Sequence, residues 1–388
     1  MRRLAATTAA VGVSSAGFAA AAAPSTPRPL FRFGLIADVQ YADIEDASNF
    51  AGTSHRTYRA TLETVRLAVK RWNEQSDPAP CFVAQLGDLI DGQNAGKYGQ
   101  GLSFSDAPRS ASSCDRVLNA LGAVAAPIYH AVGNHELYNF SWDELRSRLN
   151  GAGVRGKHVG TDDSAARHFH FAFRPVEGWL FIMLNPYEVS MMGEEGSAAR
   201  AQARALMEQR NPNSIATGQG AVNYFEGLVG ADQRYVPFNG GVGDEQLEWL
   251  VEELRTARSR RERVVVMTHL PLDHNAASHR TTAWNCDDVL DVLHSEGRGN
   301  VVAVLAGHHH RGGYALDEFG VHHVTVHSPL ENGVGCFGTV DVHSDRIELV
   351  GSGDLPSRSL VLPPLPRDAP VGGRQRWTAA AAAAATKL

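Results

Sequence analysis

Cysteine is scarce. The chain has four in 388 residues, Cys81, Cys114, Cys286 and Cys336, and no two form a CxxC pair. That excludes a disulfide framework and a thiolate zinc knot, and favours reduced thiols in a reducing compartment. Positive charge is not in excess either. With 36 Lys and Arg against 42 Asp and Glu, the net charge is −6. No global basic field points to nucleic acid or a membrane surface. An anionic substrate would therefore need local positive charge, which metal ions can supply. There is no long, strongly apolar run; the stretch before Pro24 is Ala-, Ser- and Thr-rich, too weakly apolar for a membrane span. Internal repeats are absent as well. What remains is ordinary for a globular chain with a large core, at 43% hydrophobic and 20% charged residues.

Three segments emerge. Residues 1–29 contain Arg2, Arg3 and Arg28 but no acid, and read as a disordered tail or a targeting peptide. Residues 30–355 carry the folded domain, and 356–388 form a Pro/Ala-rich tail. The tail ends Thr386-Lys387-Leu388, one residue from a peroxisomal address. Cytoplasmic or organellar residence after N-terminal processing fits these features, with secretion left open. Within the domain, helices are expected over 58–73, 115–122, 196–209, 244–255 (capped by Asp244) and 286–295, and 49–57 and 211–243 read as loops. Strands at 322–326 and 338–342 are expected in a second sheet layer.

Five apolar runs give the chain its organisation. Residues 33–37 end at Asp38 and Gln40. Residues 81–84 lead to Gly87-Asp88 and Asp91. Residues 128–132 end at Gly133-Asn134-His135-Glu136, 264–268 at His269, and 301–306 at Gly307-His308-His309-His310. Strand–helix–strand units of this kind favour right-handed crossovers, and ligands collect at the carboxyl ends of such strands. Taken singly, each polar ending has an ordinary explanation. An Asp caps a helix, and a core His is simply hydrogen-bonded. Asp38, Gln40, Asp88, Asn134, His269, His308 and His310 all at strand ends point to one shared site. Mixed oxygen and imidazole donors suit Mn²⁺, Fe²⁺ or Zn²⁺. Seven are too many for one catalytic zinc and suit two ions roughly 3.5–4 Å apart.

These blocks, in this order, resemble the calcineurin-like metallophosphoesterases. Gln40, where that family usually has histidine, together with Asn49-Phe50-x-Gly52-Thr53, Arg56-x-Tyr58-Arg59 and Phe238-Asn239-Gly240-Gly241, is most similar to the manganese-dependent ADP-ribose/CDP-alcohol diphosphatases. The resemblance implies a four-layer α-β-β-α sandwich and two divalent ions, with Mn²⁺ ahead of Fe, Zn and Mg. By it, Asp38, Gln40, Asp88 and His310 hold one ion, and Asp88, Asn134, His269 and His308 the other. A bridging hydroxide would then cleave the diphosphate of ADP-ribose or a CDP-alcohol. His135 would contact the phosphoryl group and protonate the leaving oxygen, oriented by Asp91. Phe50 would contact the base, and Arg56 the distal phosphate or sugar. His309 should point away, as the middle residue of an extended stretch.

Each role has a plainer counterpart: a scaffold His135, a capping Asp91, core packing for Phe50, a surface ion pair for Arg56. Gln40 could be a spectator beside a water. The same metal centre could serve a general phosphodiesterase or a phosphoprotein phosphatase. A binding module without catalysis is the reading from a different class, but it should lack some ligands. A purple acid phosphatase would need tyrosine where Asp91 stands. The partner expected is a small nucleotide; nothing indicates nucleic acid, membrane or a particular protein.

Overall fold

The computed structural model describes residues 28–49, 52–96, 108–152, 169–213 and 223–365. Phe50 and most of both tails lie outside the described residues.

Two six-stranded sheets carry the fold. The strands are β1 Phe31–Ile36, β2 Pro80–Gln85, β3 Ile128–His130, β4 Phe171–Phe173, β5 Trp179–Met183, β6 Arg263–Met267, β7 Val301–Ala306, β8 Gly313–Leu316, β9 His322–Thr325, β10 Phe337–Val342, β11 Arg346–Ser352 and β12 Arg358–Val361. One sheet runs β12-β11-β10-β1-β2-β3 and the other β8-β9-β7-β6-β5-β4. The five strands that end in polar residues pair in parallel within their own sheets, β1-β2-β3 in one and β6-β7 in the other.

Alternation along these strands builds the layers, because successive side chains leave opposite faces. Phe33, Leu35 and Phe82 from the first sheet meet Phe181, Phe173, Val265 and Met267 from the second in one core. Phe33 stacks on Phe82 at 4.7 Å and meets Phe181 edge-on at 5.4 Å. Val264 and Val266, on the opposite face of β6, pack with Leu247, Leu250 and Leu254 of helix Asp244–Ser259. Ile36 and Val83 likewise meet Val65 and Trp72 of helix Ala60–Glu74. Both faces of each sheet are thus covered, which gives the expected α-β-β-α sandwich.

Several details differ from the sequence reading. The 322–325 and 337–342 strands fall in different sheets; the latter pairs antiparallel with β1. Asp244 is the first helical residue, and Gly243 is the cap. Residues 47–56 hold a two-residue-per-strand hairpin, Ala47–Ser48 with His55–Arg56. The long 211–243 segment contains a short helical turn, Gly230–Arg234. Strand β12 continues the sheet to Val361, beyond the boundary placed at residue 355. All four cysteines are free thiols, and burial pushes each well above the ordinary thiol value. No described helix is long and apolar enough to cross a membrane.

Candidate metal centre

The two sheets present their strand ends to one another. Asp38, Asp88 and His269 meet there with no solvent exposure. Among the described residues, Asp88, His269 and His308 offer ligand atoms that all lie within 4.8 Å of one another. His310 Nε2 is 3.7 Å from Asp38, and Gln40 Nε2 is 2.9 Å from both Asp88 Oδ2 and His310 Nε2.

The backbone here is held in an unusual shape. Asp38, Gln40, Asp88 and His308 all have positive φ, between 42° and 65°. That conformation costs a non-glycine residue roughly 1–2 kcal/mol and persists only where surroundings enforce it. Close approach enforces it here. A Cβ at Gly133 would lie 2.0 Å from Asp88 Oδ1, and one at Gly307 would lie 2.7 Å from Asp38 Oδ2. The glycines of the Gly133-Asn134 and Gly307-His308 blocks leave room for those carboxylates. Glu136 locks the Asp88 turn from beneath. It accepts the N–H groups of Asp88 and Gly133 at 2.8 Å and of Leu89 at 2.5 Å. Burial and the Asp88 charge push its carboxyl up to about 7, against those N–H groups.

Three imidazoles have one nitrogen tied down and the other directed inward. His269 Nδ1 lies 2.7 Å from the Leu86 carbonyl, which can only accept, so Nε2 keeps its lone pair. His310 Nδ1 donates to Glu331 at 2.8 Å. For His308 the chain of inference is longer. The Asn239 amide nitrogen donates to the carbonyls of Arg234 and Arg280, so its oxygen is the acceptor 3.0 Å from His308 Nε2. Nδ1 of His308 is therefore the free nitrogen. Outer partners of this kind fix ring orientation in metal sites.

This donor set fits a cation. His269 Nε2 and Gln40 Oε1 are buried without a hydrogen-bond partner. Turning the Gln40 amide over would set its oxygen against Asp88 and His310 Nε2, an all-acceptor cluster that only positive charge satisfies. Burial lowers the His269 pKa, yet Asp88 and Asp38 outweigh it and push the ring up to about 9, so these carboxylates draw positive charge to Nε2, as a proton or as a cation. The same burial raises Asp38 to about 6. Asn134 adjoins this group; its Oδ1 accepts from the buried Tyr187 hydroxyl at 3.2 Å.

His135 stands beside the cluster, its Nε2 4.0 Å from Asp88 Oδ2. Its Nδ1 accepts the Gly92 N–H at 2.8 Å, so the proton sits on Nε2. Asp91 Oδ2 is further from that Nδ1, at 3.4 Å, while Asp91 Oδ1 caps the following turn through Gln93. Asp91 therefore acts on His135 mainly through the turn that carries Gly92. We expect Asp91→Asn to lower turnover about tenfold with bound metal unchanged, as outer partners do. Unchanged turnover, read beside metal content, would remove that role.

Arg56 does not stand free. Its Nε donates to Glu331 at 2.8 Å, and Ser54 holds the other Glu331 oxygen at 2.6 Å. His309 lies beyond the end of β7, where its carbonyl accepts the Gly312 N–H at 2.7 Å and opens a turn.

Glu331 and Tyr187 were not singled out from sequence, and Asn239 and Glu136 stand there only within their motifs, with no role at the metal centre. Burial would raise the Glu331 carboxyl, but His310, Ser54 and Arg56 hold it below the usual carboxylate range. Glu331→Gln is expected to weaken Mn²⁺ binding about 10- to 100-fold. A Mn²⁺ titration followed by electron paramagnetic resonance reads this, and wild-type affinity in the variant would refute it.

Residues 31–312 match the calcineurin-like phosphoesterase family. The chain is 38% identical over 346 residues to the manganese-dependent ADP-ribose/CDP-alcohol diphosphatase of Mus musculus, covering 86% of this chain and 95% of that one. It is 36% identical to the protein of that name from Oryza sativa, covering 88% and 97%. A dimetal phosphatase crystal structure from Danio rerio superposes with a TM-score of 0.72 at 32% identity, covering 86% of this chain and 100% of that one.

Proposed function

Because this chain belongs to the calcineurin-like phosphoesterase family, we propose that it hydrolyses the diphosphate linkage of ADP-ribose and of CDP-alcohols such as CDP-choline. The products are AMP or CMP and a phosphorylated sugar or alcohol. The observation that carries this reading is the convergence of His269 and His308 on buried Asp88, with His310 on buried Asp38 and Gln40 between His310 and Asp88. The relatives' name supplies the substrate class.

Asp38, Gln40, Asp88 and His310 would hold one divalent cation, and Asp88, Asn134, His269 and His308 a second. When bound, such a pair lowers the pKa of water to give a nucleophile at neutral pH and draws charge from phosphoryl oxygens. Asp88 belongs to both sets. His135 presents Nε2–H to the phosphoryl or leaving oxygen, and Arg56 and Phe50 contact the rest of the substrate. Gln40 offers a neutral amide oxygen where imidazole would draw softer ions, so Mn²⁺ is the cofactor expected, ahead of Zn²⁺.

The test is product analysis with ADP-ribose, CDP-choline and a generic aryl phosphodiester, each with Mn²⁺ and with Mg²⁺. Release of AMP and CMP, faster with Mn²⁺, is expected. Turnover of the aryl ester alone would discard the substrate assignment, and Mg²⁺ matching Mn²⁺ would discard the metal preference.

A further inference from the structure

The phenol of Tyr187 is fully buried beside the metal centre, and the hydrolysis described above gives it no task. Its ring belongs to the core that includes Leu247 and Leu250, and lies 6.0 Å from the His269 ring. The loop after β5 holds it there. Gln246, in the first turn of helix Asp244–Ser259, accepts the Asn185 N–H at 2.8 Å. It donates to the Asn185 carbonyl at 3.0 Å and to Glu188 at 2.8 Å. Glu188 also accepts the Gly243 N–H at 3.0 Å, and the Tyr187 N–H donates to the Asn185 side chain at 3.0 Å. Residues on both sides of Tyr187 are thus tied to one helix end.

Asn134 lies between two phenols. Its Oδ1 accepts from the Tyr187 hydroxyl at 3.2 Å, and its Nδ2 donates to the Tyr138 hydroxyl at 3.1 Å. Tyr187 stands on the side of His269 and His308, whose rings are 5.0 Å apart. Tyr138 stands on the side of His135, with 5.1 Å between the rings. The amide oxygen therefore faces the same side as His269 and His308.

We infer that Tyr187 is the positioning residue that keeps the Asn134 oxygen, and not its NH₂ group, turned toward the second cation. This rests on the placing of Asn134 in the second ion set above. An amide has one end that binds a cation and one that repels it, so its orientation decides whether Asn134 is a ligand at all. A phenol is ordinarily protonated at neutral pH and donates. Turning the amide over would set its NH₂ group against the buried Tyr187 O–H, which would lose its acceptor, and a buried donor left unpaired is costly. In the orientation observed, the oxygen keeps a second lone pair for a cation. Tyr138 is partly exposed, so it imposes no such choice.

The experiment titrates the metal-stripped, full-length chain with Mn²⁺ and follows the free ion by electron paramagnetic resonance. Wild type should take up two ions. Tyr187→Phe keeps the buried ring and removes only the hydroxyl. It should weaken one of the two ions about tenfold and leave the other as in wild type. The same substitution is then made in an Asn134→Asp chain. A carboxylate presents an oxygen whichever way it turns, so there Tyr187→Phe should change Mn²⁺ affinity less than about twofold. Three results overturn the inference: both ions held by Tyr187→Phe as by wild type, both weakened alike, or the same weakening in the Asn134→Asp chain. The last would make Tyr187 a support of the fold. Wild type taking up fewer than two ions would remove the two-ion assignment, and this inference with it. That failure shows in the unsubstituted chain, whereas failure of the inference alone shows only in the Tyr187→Phe comparison.

Discussion

An Asp88→Asn chain is expected to hydrolyse ADP-ribose at least about a thousandfold more slowly than wild type, and to hold fewer than about two manganese ions. Paired metals supply several kcal/mol to phosphoryl transfer, and each 1.36 kcal/mol is tenfold in rate, so losing about 4 kcal/mol gives that factor. The substitution barely changes shape, which makes charge the variable. Asp88 Oδ1 accepts the His135 N–H at 2.9 Å, and Oδ2 faces Gln40 and His269. An amide here would turn an NH₂ group toward one of these neighbours and remove the charge shared by both ligand sets. Burial opposes a charged Asp88, but the surrounding histidines prevail and hold its carboxyl well below the usual range. Metal content by elemental analysis, thermal melting and kcat on one sample decide the matter. A well-folded variant with full manganese and near-normal kcat would remove Asp88 from the centre of the site.

The strand ends were legible because a carboxylate or imidazole closing an apolar run is a local pattern, readable over about six residues. Asp38, Asp88, His269 and His308 were all found in this way, and the fold brings them together. Tyr187 lies four residues beyond β5, after Leu184-Asn185-Pro186, so the same rule reaches it only when it is extended past the strand end. The partners that fix the rings were not legible. Glu331 reaches His310 from a four-residue helix, Pro329–Asn332, and Asn239 reaches His308 from a glycine-rich turn. Both contacts join segments far apart in sequence, and no periodicity announces them. Sheet membership was hidden for a related reason. Residues 337–342 alternate like any half-buried strand, and only pairing with β1 decides which sheet receives them. The positive φ values were hidden too. They follow from the crowding of Gly133 against Asp88 and Gly307 against Asp38, contacts made between strands rather than along one.

His135→Ala should lower kcat about 100-fold or more while leaving manganese content at the wild-type level. The size is that of one positioned hydrogen-bond donor lost from the developing charge of the transition state. The expected separation of turnover from metal follows from geometry. The ring's Nδ1 is already engaged by the Gly92 N–H, and Nε2–H lies on the Asp88 side, so the side chain offers a donor and not a lone pair. That arrangement also sets the pH dependence. Burial lowers the His135 pKa, although Asp88 and Asp91 pull the other way, so the neutral ring prevails at neutral pH. A lowered pKa keeps the imidazolium form for acid solution. Forming it would place a proton on Nδ1 and expel the Gly92 N–H. If His135 had to deliver a proton as imidazolium, kcat would fall as pH rises through that pKa. As a neutral Nε2–H donor it contributes equally from about pH 7 to about pH 9, and the wild-type profile should show no fall there that His135→Ala abolishes. His135→Gln, which keeps an N–H donor, should recover part of the loss. Equal losses in the Ala and Gln variants, or loss of manganese in both, would make His135 a structural support rather than a donor to the substrate.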